Sequence, residues 1–289
     1  MIPAAFDYSS PKTLSEAIAL LQQHGPDAKV LAGGQSLIPL MKLRMAAPKH
    51  LVDINGITDL SYIRESDGFL TIGALTREAD VDASDLVRSR YPLLADTAAV
   101  IADPLVRNMA TVGGNLAHAD PANDHPATML AIGASVVATG PNGSRTIAID
   151  DFFTGIFTTS LAPDEILTEI RIPVPRERSG GAYLKVERKV GDFAAAAVAV
   201  QVTLDGDAFA DAGIGLTNVG PLPIKAVRAA EALRGQPVND QTIENAARIA
   251  SEECEPADDL RGTAEYKRSL VRVLTARALR QAISRAKGH

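Results

Sequence analysis

Along the 289-residue chain the spacing of apolar residues changes several times, and each change marks an element. Leu14, Ala17, Ile18 and Leu21 recur at the three-and-four spacing of one helical face. In front of them Thr13-Leu-Ser-Glu16 has the form of a capping box, and Gly25 supplies the stop. Lys29 to Ala32, His50 to Ile54 and Phe69 to Gly73 are short runs rich in β-branched and apolar residues, which predicts strands. Ser36 to Arg44 is apolar but interrupted by Pro39, as in a buried irregular segment or a short helix. Thr76 to Asp103 predicts helices, with Pro92 breaking the run or opening the second one. His125 to Gly133 predicts another helix. Ser135 to Thr139 and Ser144 to Ile149 flank the turn Gly140-Pro-Asn-Gly143, and Ile166 to Val174 is a further strand.

Pro173-Val-Pro-Arg-Glu-Arg-Ser-Gly-Gly181 has the proline, charge and glycine content of a linker, which divides the chain into domains 1–175 and 176–289. Beyond it, three strands are expected at Ala182 to Lys189, Ala194 to Leu204 and Ala208 to Thr217, with a tight turn at Asp205-Gly206. Helices are expected at Ile224 to Leu233, Asp240 to Glu253 and Glu265 to Lys287. The last carries Lys267, Arg268, Arg272, Arg277, Arg280, Arg285 and Lys287 against Glu265, with Leu270, Leu274 and Leu279 as an apolar stripe. Such a helix presents a solvated basic face, or meets an acidic partner. The pattern is α+β in both halves.

Composition narrows the function classes. Apolar residues at 46% and charged residues at 22% fit an ordinary globular protein. A net charge of −6 argues against nucleic-acid binding through a positive surface. No apolar run approaches the roughly 20 residues of a membrane helix, and Met1-Ile-Pro-Ala-Ala does not open like a signal peptide, so the cytoplasm is expected. Cys254 is the sole cysteine, which excludes an intrachain disulfide and a resident iron–sulfur cluster, normally held by four thiolates.

Candidate chemistry concentrates in two stretches, Ala32-Gly-Gly-Gln-Ser36 and Thr111-Val-Gly-Gly-Asn-Leu-Ala-His-Ala-Asp-Pro-Ala-Asn-Asp124. The second has no hydrophobic period. Paired glycines let backbone N–H groups approach a ligand, and consecutive exposed amides form a nest for phosphate oxygens. Two such turns suggest an extended anionic ligand such as a dinucleotide pyrophosphate, whereas a lone Gly-Gly is more often a plain structural turn. There is no G-x-G-x-x-G and no phosphate-loop motif; Gly213-Ile-Gly215 comes nearest but lies inside an expected strand. His118, Asp120, Asp124 and His125 are ordinary metal ligands by type, yet Asp and Asn beside Pro121 equally make turns through local hydrogen bonds. Neither role is decided by spacing.

Both glycine stretches, the first extended to Ala32-Gly-Gly-Gln-Ser-Leu-Ile-Pro-Leu-Met-Lys-Leu-Arg44, resemble the FAD-binding motifs of the medium, flavoprotein subunit of bacterial molybdenum hydroxylases, the group of aerobic carbon monoxide dehydrogenase and xanthine dehydrogenase. The similarity continues through Tyr183-Leu-Lys-Val-Glu-Arg-Lys-Val-Gly-Asp-Phe193 into the C-terminal third. It implies a two-subdomain FAD-binding domain of the vanillyl-alcohol oxidase type, followed by a C-terminal domain with a three-stranded antiparallel sheet and helices. It further implies FAD in this chain, with molybdenum cofactor and 2Fe–2S clusters on a large and a small partner subunit, the three kinds of subunit forming a dimer of heterotrimers. Carried over by position, Ala32, Gly33, Gly34, Gln35 and Ser36, with Thr111, Val112, Gly113, Gly114 and Asn115, would hold the pyrophosphate and ribityl regions. Asp124 would accept ribityl hydroxyls and is preferred in that role to a metal ligand. Ile101 and Leu161 would line the flavin or adenine pocket, unless they are plain core, the usual place of apolar residues. Lys185 would reach the pyrimidine edge of the flavin. Phe193 would cover one ring face where relatives often carry tyrosine, keeping the stacking surface without the hydroxyl. No residue of this chain is then an acid, base or nucleophile toward substrate, and none a metal ligand. The competing readings are a self-sufficient flavoenzyme on the same fold and a metal- or ligand-binding module built on His118 to His125.

Overall fold

A computed structural model describes residues 2–288. The N-terminal layer joins β1 (Asp7–Ser9), α1 (Leu14–His24), β2 (Ala28–Leu31), α2 (Leu37–Lys42) and β3 (His50–Asp53), the strands forming a parallel sheet in the order β1-β3-β2. The capping box is formed: the Thr13 hydroxyl accepts the Glu16 N–H at 3.2 Å, and the Glu16 carboxylate accepts the Thr13 N–H at 3.2 Å. Helix α1 buries Ala17, Ile18 and Leu21, which join Val52 and Ile54 in one core.

The second layer is an antiparallel sheet with α-helices on it. Strands β4 (Ile63–Ser66) and β5 (Phe69–Gly73) lead into α3 (Glu78–Ala83), α4 (Asp85–Arg90), α5 (Pro92–Val100), α6 (Pro104–Arg107), α7 (Val112–His118) and α8 (Asp124–Ile132). Then come β6 (Ser135–Gly140), β7 (Gly143–Ala148), the small hairpin β8 (Phe153–Gly155) and β9 (Thr158–Thr159), and β10 (Ile166–Pro173). The five-stranded order is β4-β5-β10-β6-β7. Leu70, Ile72, Val136 and Ile170 from the sheet pack with Leu94, Leu116 and Met129 from the helices.

Helix α7 differs from the sequence expectation, which found no period in residues 111–124. Two glycines weaken a helix by about 1 kcal/mol each relative to alanine, so the pattern hides it. Thr111 caps the helix by accepting the Gly114 N–H at 3.1 Å, and Gly113 lets it settle on Ala74. A Cβ on Gly113 would lie 2.5 Å from the Ala74 Cβ.

The C-terminal part holds β11 (Ser179–Glu187), β12 (Ala194–Asp205), β13 (Ala208–Thr217) and β14 (Ile224–Lys225) in one antiparallel sheet of that order. The three expected strands are there, but β11 begins inside the expected linker and a fourth strand is added. Ile224 and Lys225, expected to open a helix, pair with Leu216 and Gly215 instead, and α9 (Val227–Glu231) starts only after them. Helices α10 (Asp240–Glu253) and α11 (Ala264–Ala286) follow, and α11 lies on β11 and β12. Strand β12 is apolar from Ala194 to Val200 because both its faces are buried there: Val198 and Val200, with Val202, join the core shared with α10 and α11, while Ala197 and Ala199 pack with Leu93 and Ala127 of α5 and α8. Gly213-Ile-Gly215 serves this contact, since a Cβ at either glycine would collide with the Ala131 or Ala127 carbonyl of α8.

The basic residues of α11 are largely engaged within the chain. Lys267 is buried and pairs with Asp259 at 2.7 Å, and Arg280 bridges Asp240 and Glu244. Arg285 makes a two-pronged pair with Asp96 of α5 at 2.6 and 3.0 Å, and the same Asp96 accepts the Tyr183 N–H of β11 at 3.3 Å. Among the described residues no helix is long and apolar enough to cross a membrane.

Candidate functional site

The first glycine segment leaves β2 in a turn that uses Gly34 at φ +74°, a conformation glycine adopts without strain. Among the described residues, the backbone N–H groups of Gly33, Gly34, Gln35 and Ser36 donate to no acceptor of the protein. Four consecutive unclaimed amides are a nest for an anion. Gly33 is needed for a different close approach: a Cβ there would run into the Met109 carbonyl and lie 2.8 Å from the Ala110 Cα. Ala32 in turn faces Gly114, whose Cβ position lies 3.8 Å from the Ala32 Cβ. The two glycine stretches, 79 positions apart by their first glycine-flanking residues Ala32 and Thr111, are thus neighbours in space.

The second segment is not a nest, which corrects the reading of both Gly-Gly pairs as amide cradles. Val112 N–H donates to the Thr76 carbonyl at 3.1 Å, Gly113 to Ala74 at 3.0 Å, Gly114 to the Thr111 hydroxyl, and Asn115 to the Thr111 carbonyl at 2.9 Å. Val112 is fully buried in the core. What this segment offers is Asn115, whose Oδ1 is buried without a partner and whose carbonyl is held by the Asn123 side chain at 2.9 Å. An unclaimed acceptor beside a free amide nest fits a ligand that carries both hydroxyls and phosphates, as FAD does.

Asp124, at the start of α8, is only 5% exposed. Its Oδ1 accepts the Tyr183 hydroxyl at 2.6 Å and its Oδ2 accepts the Lys185 ammonium at 3.0 Å. Burial drives the Asp124 carboxyl above the ordinary carboxylate range, against the opposing pull of Lys185 and Tyr183. The Tyr183 hydroxyl is raised well above its usual value, by burial first and then by Asp124, so it stays a donor. The Lys185 side chain is 3% exposed; it also donates to the Val100 carbonyl at 3.1 Å and lies 3.4 Å from Glu187. Lys185 therefore ties β11 to α5 and α8 and is no free cation. Tyr183 was not singled out from sequence. Its position two residues before Lys185 on one strand, hence on the same face, is the signal that could have found it.

Ile101 is buried directly after α5, and its carbonyl accepts Arg107 at 3.0 Å. Phe193 is 43% exposed in the turn between β11 and β12, with the Arg261 guanidinium 5.6 Å from its ring centre. That turn meets the end of α5, because a Cβ on Gly191 would lie 3.0 Å from Ala102. Leu161 packs half-buried on the core of the five-stranded sheet.

His118, Asp124 and His125 point to different partners. His118 packs tilted against Phe157, ring centres 5.1 Å apart, and His125 is wholly buried with its Nε2 2.7 Å from Glu78. Among the described residues no three His, Cys, Asp or Glu side chains converge as a metal site. The Glu78–His125 contact was not visible in the sequence, because the partners are 47 residues apart.

Paired glycine segments in contact and a free amide nest fit a protein of the FAD-binding class. Residues 4–175 match the family described as "FAD binding domain in molybdopterin dehydrogenase", and residues 181–282 match "CO dehydrogenase flavoprotein C-terminal domain". The chain is 46% identical to the carbon monoxide dehydrogenase medium chain of Hydrogenophaga pseudoflava and 45% identical to that of Afipia carboxidovorans, with at least 99% of each chain covered. It superimposes on a chain of the Hydrogenophaga pseudoflava carbon monoxide dehydrogenase lacking the Mo-pyranopterin moiety with a TM-score of 0.96, at 48% identity and 99% coverage of both. The chain belongs to the family of FAD-binding medium subunits of molybdenum-containing oxidoreductases, which includes the medium subunits of carbon monoxide dehydrogenase and xanthine dehydrogenase.

Proposed function

We propose that this chain relays electrons from iron–sulfur clusters on a small partner subunit, through FAD, to an external acceptor, while substrate is oxidised at molybdenum on a large subunit. The observation that carries the reading is the unclaimed amide run Gly33–Ser36, set against the Thr111–Asn115 segment in a chain of this family. The lone Cys254, buried, supports the placement of the clusters on another polypeptide. Bound FAD supplies the electron chemistry, and the protein supplies orientation and electrostatics. In this reading Ala32 and the amides of Gly33, Gly34, Gln35 and Ser36 meet the pyrophosphate. Thr111, Val112, Gly113 and Gly114 shape the wall beside it, and Asn115 Oδ1 takes a hydroxyl. Ile101 and Leu161 add apolar lining, and Phe193 offers a ring face. Asp124 and Lys185 act as a joined pair at the end of the site, since each already holds the other. The division at residues 175 and 176, a cytoplasmic setting and assembly as a dimer of heterotrimers belong to the same proposal.

The test is to offer the assembled complex carbon monoxide, a purine, an N-heterocycle or an aldehyde and to follow flavin absorbance. One of them should bleach the flavin in the complex and leave FAD bound to the isolated chain oxidised. Bleaching of the isolated chain by the same compound would replace the relay with a self-sufficient flavoenzyme.

A further inference from the structure

The backbone donors of Gly33 to Ser36 are unspent within the protein, and the segment is held on its C-terminal side only through its carbonyls, Gly34 accepting the Ile38 N–H and Ser36 the Leu40 N–H, both at 3.1 Å. Within the segment, the Gln35 side chain reaches the Gly33 carbonyl at 3.4 Å, the far limit of a hydrogen bond. On the N-terminal side its position is set by two side chains outside both glycine stretches. Asn55, just past β3, donates its Nδ2 to the Ala32 carbonyl at 2.7 Å. Its Oδ1 accepts Arg77 Nη2 at 2.7 Å, and Arg77 Nη1 donates to the Met109 carbonyl at 2.6 Å. The Met109 carbonyl is the atom that a Cβ on Gly33 would strike. One continuous hydrogen-bonded chain therefore runs from Ala32 through Asn55 and Arg77 to Met109. It spans the gap between the two glycine segments. Asn55 is itself locked, since its N–H and Nδ2 both reach Asp53 Oδ1, at 2.9 and 2.7 Å, and Asp53 accepts Tyr8 at 2.5 Å.

We propose that Asn55 and Arg77 are positioning residues for the cofactor: a clip that sets the distance and register of the two glycine segments, and so the aim of the free amides toward the FAD pyrophosphate. The proposal rests on the FAD reading above. The residue types suit the task. Asparagine offers one donor and one acceptor on a short planar arm, and the arginine fork bridges two carbonyl oxygens with two fixed N–H groups, which a lysine ammonium on a flexible stem does not reproduce.

The experiment measures FAD affinity of the assembled protein by flavin fluorescence, for wild type, Arg77→Lys, Asn55→Ala and the double variant. The phosphorus NMR signals of the bound pyrophosphate and the thermal midpoint without FAD are recorded alongside. Each single variant should bind FAD about tenfold more weakly, roughly the value of one charge-assisted hydrogen bond. The double variant should be no weaker than the weaker single one, because either change opens the same clip. The phosphorus signals should move while the visible flavin band stays in place. Wild-type affinity with unmoved phosphorus signals would overturn the clip alone, even if the thermal midpoint drops, since that pattern marks a merely structural role. Wild-type protein that retains no FAD would overturn the functional reading and the clip with it. If Asn55→Ala does not fold, Arg77→Lys, which keeps charge and bulk, decides the matter by the same two readouts.

Discussion

Replacing Lys185 with methionine removes one half of the buried pair and leaves Asp124 with the Tyr183 hydroxyl alone. At 3.0 Å the attraction is about 5.5 kcal/mol for an effective dielectric constant of about 20, most of it offset by the desolvation of both ions. Breaking such a pair from one side costs more than the pair is worth, about 3–5 kcal/mol, because a charge stays buried without its partner. The variant should therefore unfold at markedly lower denaturant at pH 7. Asp124 already has its carboxyl raised by burial, and loss of the Lys185 cation raises it further. A carboxyl raised in the folded state binds a proton that the unfolded chain releases. Its contribution to stability is thus complete below the unfolded value and is lost as pH rises through the folded one. Lowering the pH toward 5 should accordingly recover part of the loss in Lys185→Met. Adding Asp124→Asn, which removes the second charge, should recover part of it at pH 7. Tyr183→Phe is the graded control, expected to cost about 1.5–3 kcal/mol as one hydrogen bond to a charged group. The assay is equilibrium unfolding by circular dichroism between pH 5 and 8. A Lys185→Met protein as stable as wild type at pH 7, with the same pH profile, would refute the argument.

Gly33→Ala should lower both FAD retention and thermal midpoint, by about 1–3 kcal/mol in stability, because its Cβ meets the Met109 carbonyl in the backbone. Gly114→Ala should cost about 1 kcal/mol, since its Cβ meets only the Thr111 hydroxyl at 2.7 Å and disturbs the cap; equal losses in the two variants would contradict the packing described. Burial lowers the His118 imidazole below its ordinary value, so the unfolded chain takes up its proton first and stability falls as pH drops through about 6.5. His118→Gln should flatten the unfolding midpoint between about pH 7.5 and 5.5, and an unchanged slope would remove His118 from that dependence.

Legibility in the sequence followed the range of the forces. The capping box of Thr13 and Glu16, strand Phe69–Gly73 and helix Asp240–Glu253 are set by neighbours a few residues away and were read correctly. Strand Ile63–Ser66 was missed because Ile-Arg-Glu-Ser is mostly polar, as an edge strand paired on one side allows. Ile224–Lys225 became a strand because β13 offers it partners, a tertiary effect that overrides local preference. The first glycine segment announced itself through composition. The partners of Asp124 did not: Tyr183 and Lys185 lie 59 and 61 residues further on. Asn55 and Arg77 were equally silent, since their partners in the clip lie 23 and 32 residues away.

The bridge from Arg285 to Asp96 has a consequence for how the protein is made. The two residues are separated by 189 positions. At ribosomal speeds of about 5–20 residues per second, Asp96 waits about 10–40 s for its arginine to be synthesised. During that interval the α5 carboxylate and the far face of the β11–β12 hairpin have no final covering. The β11–β12 hairpin thus cannot complete its packing until α11 has emerged, however early the glycine segments themselves have met.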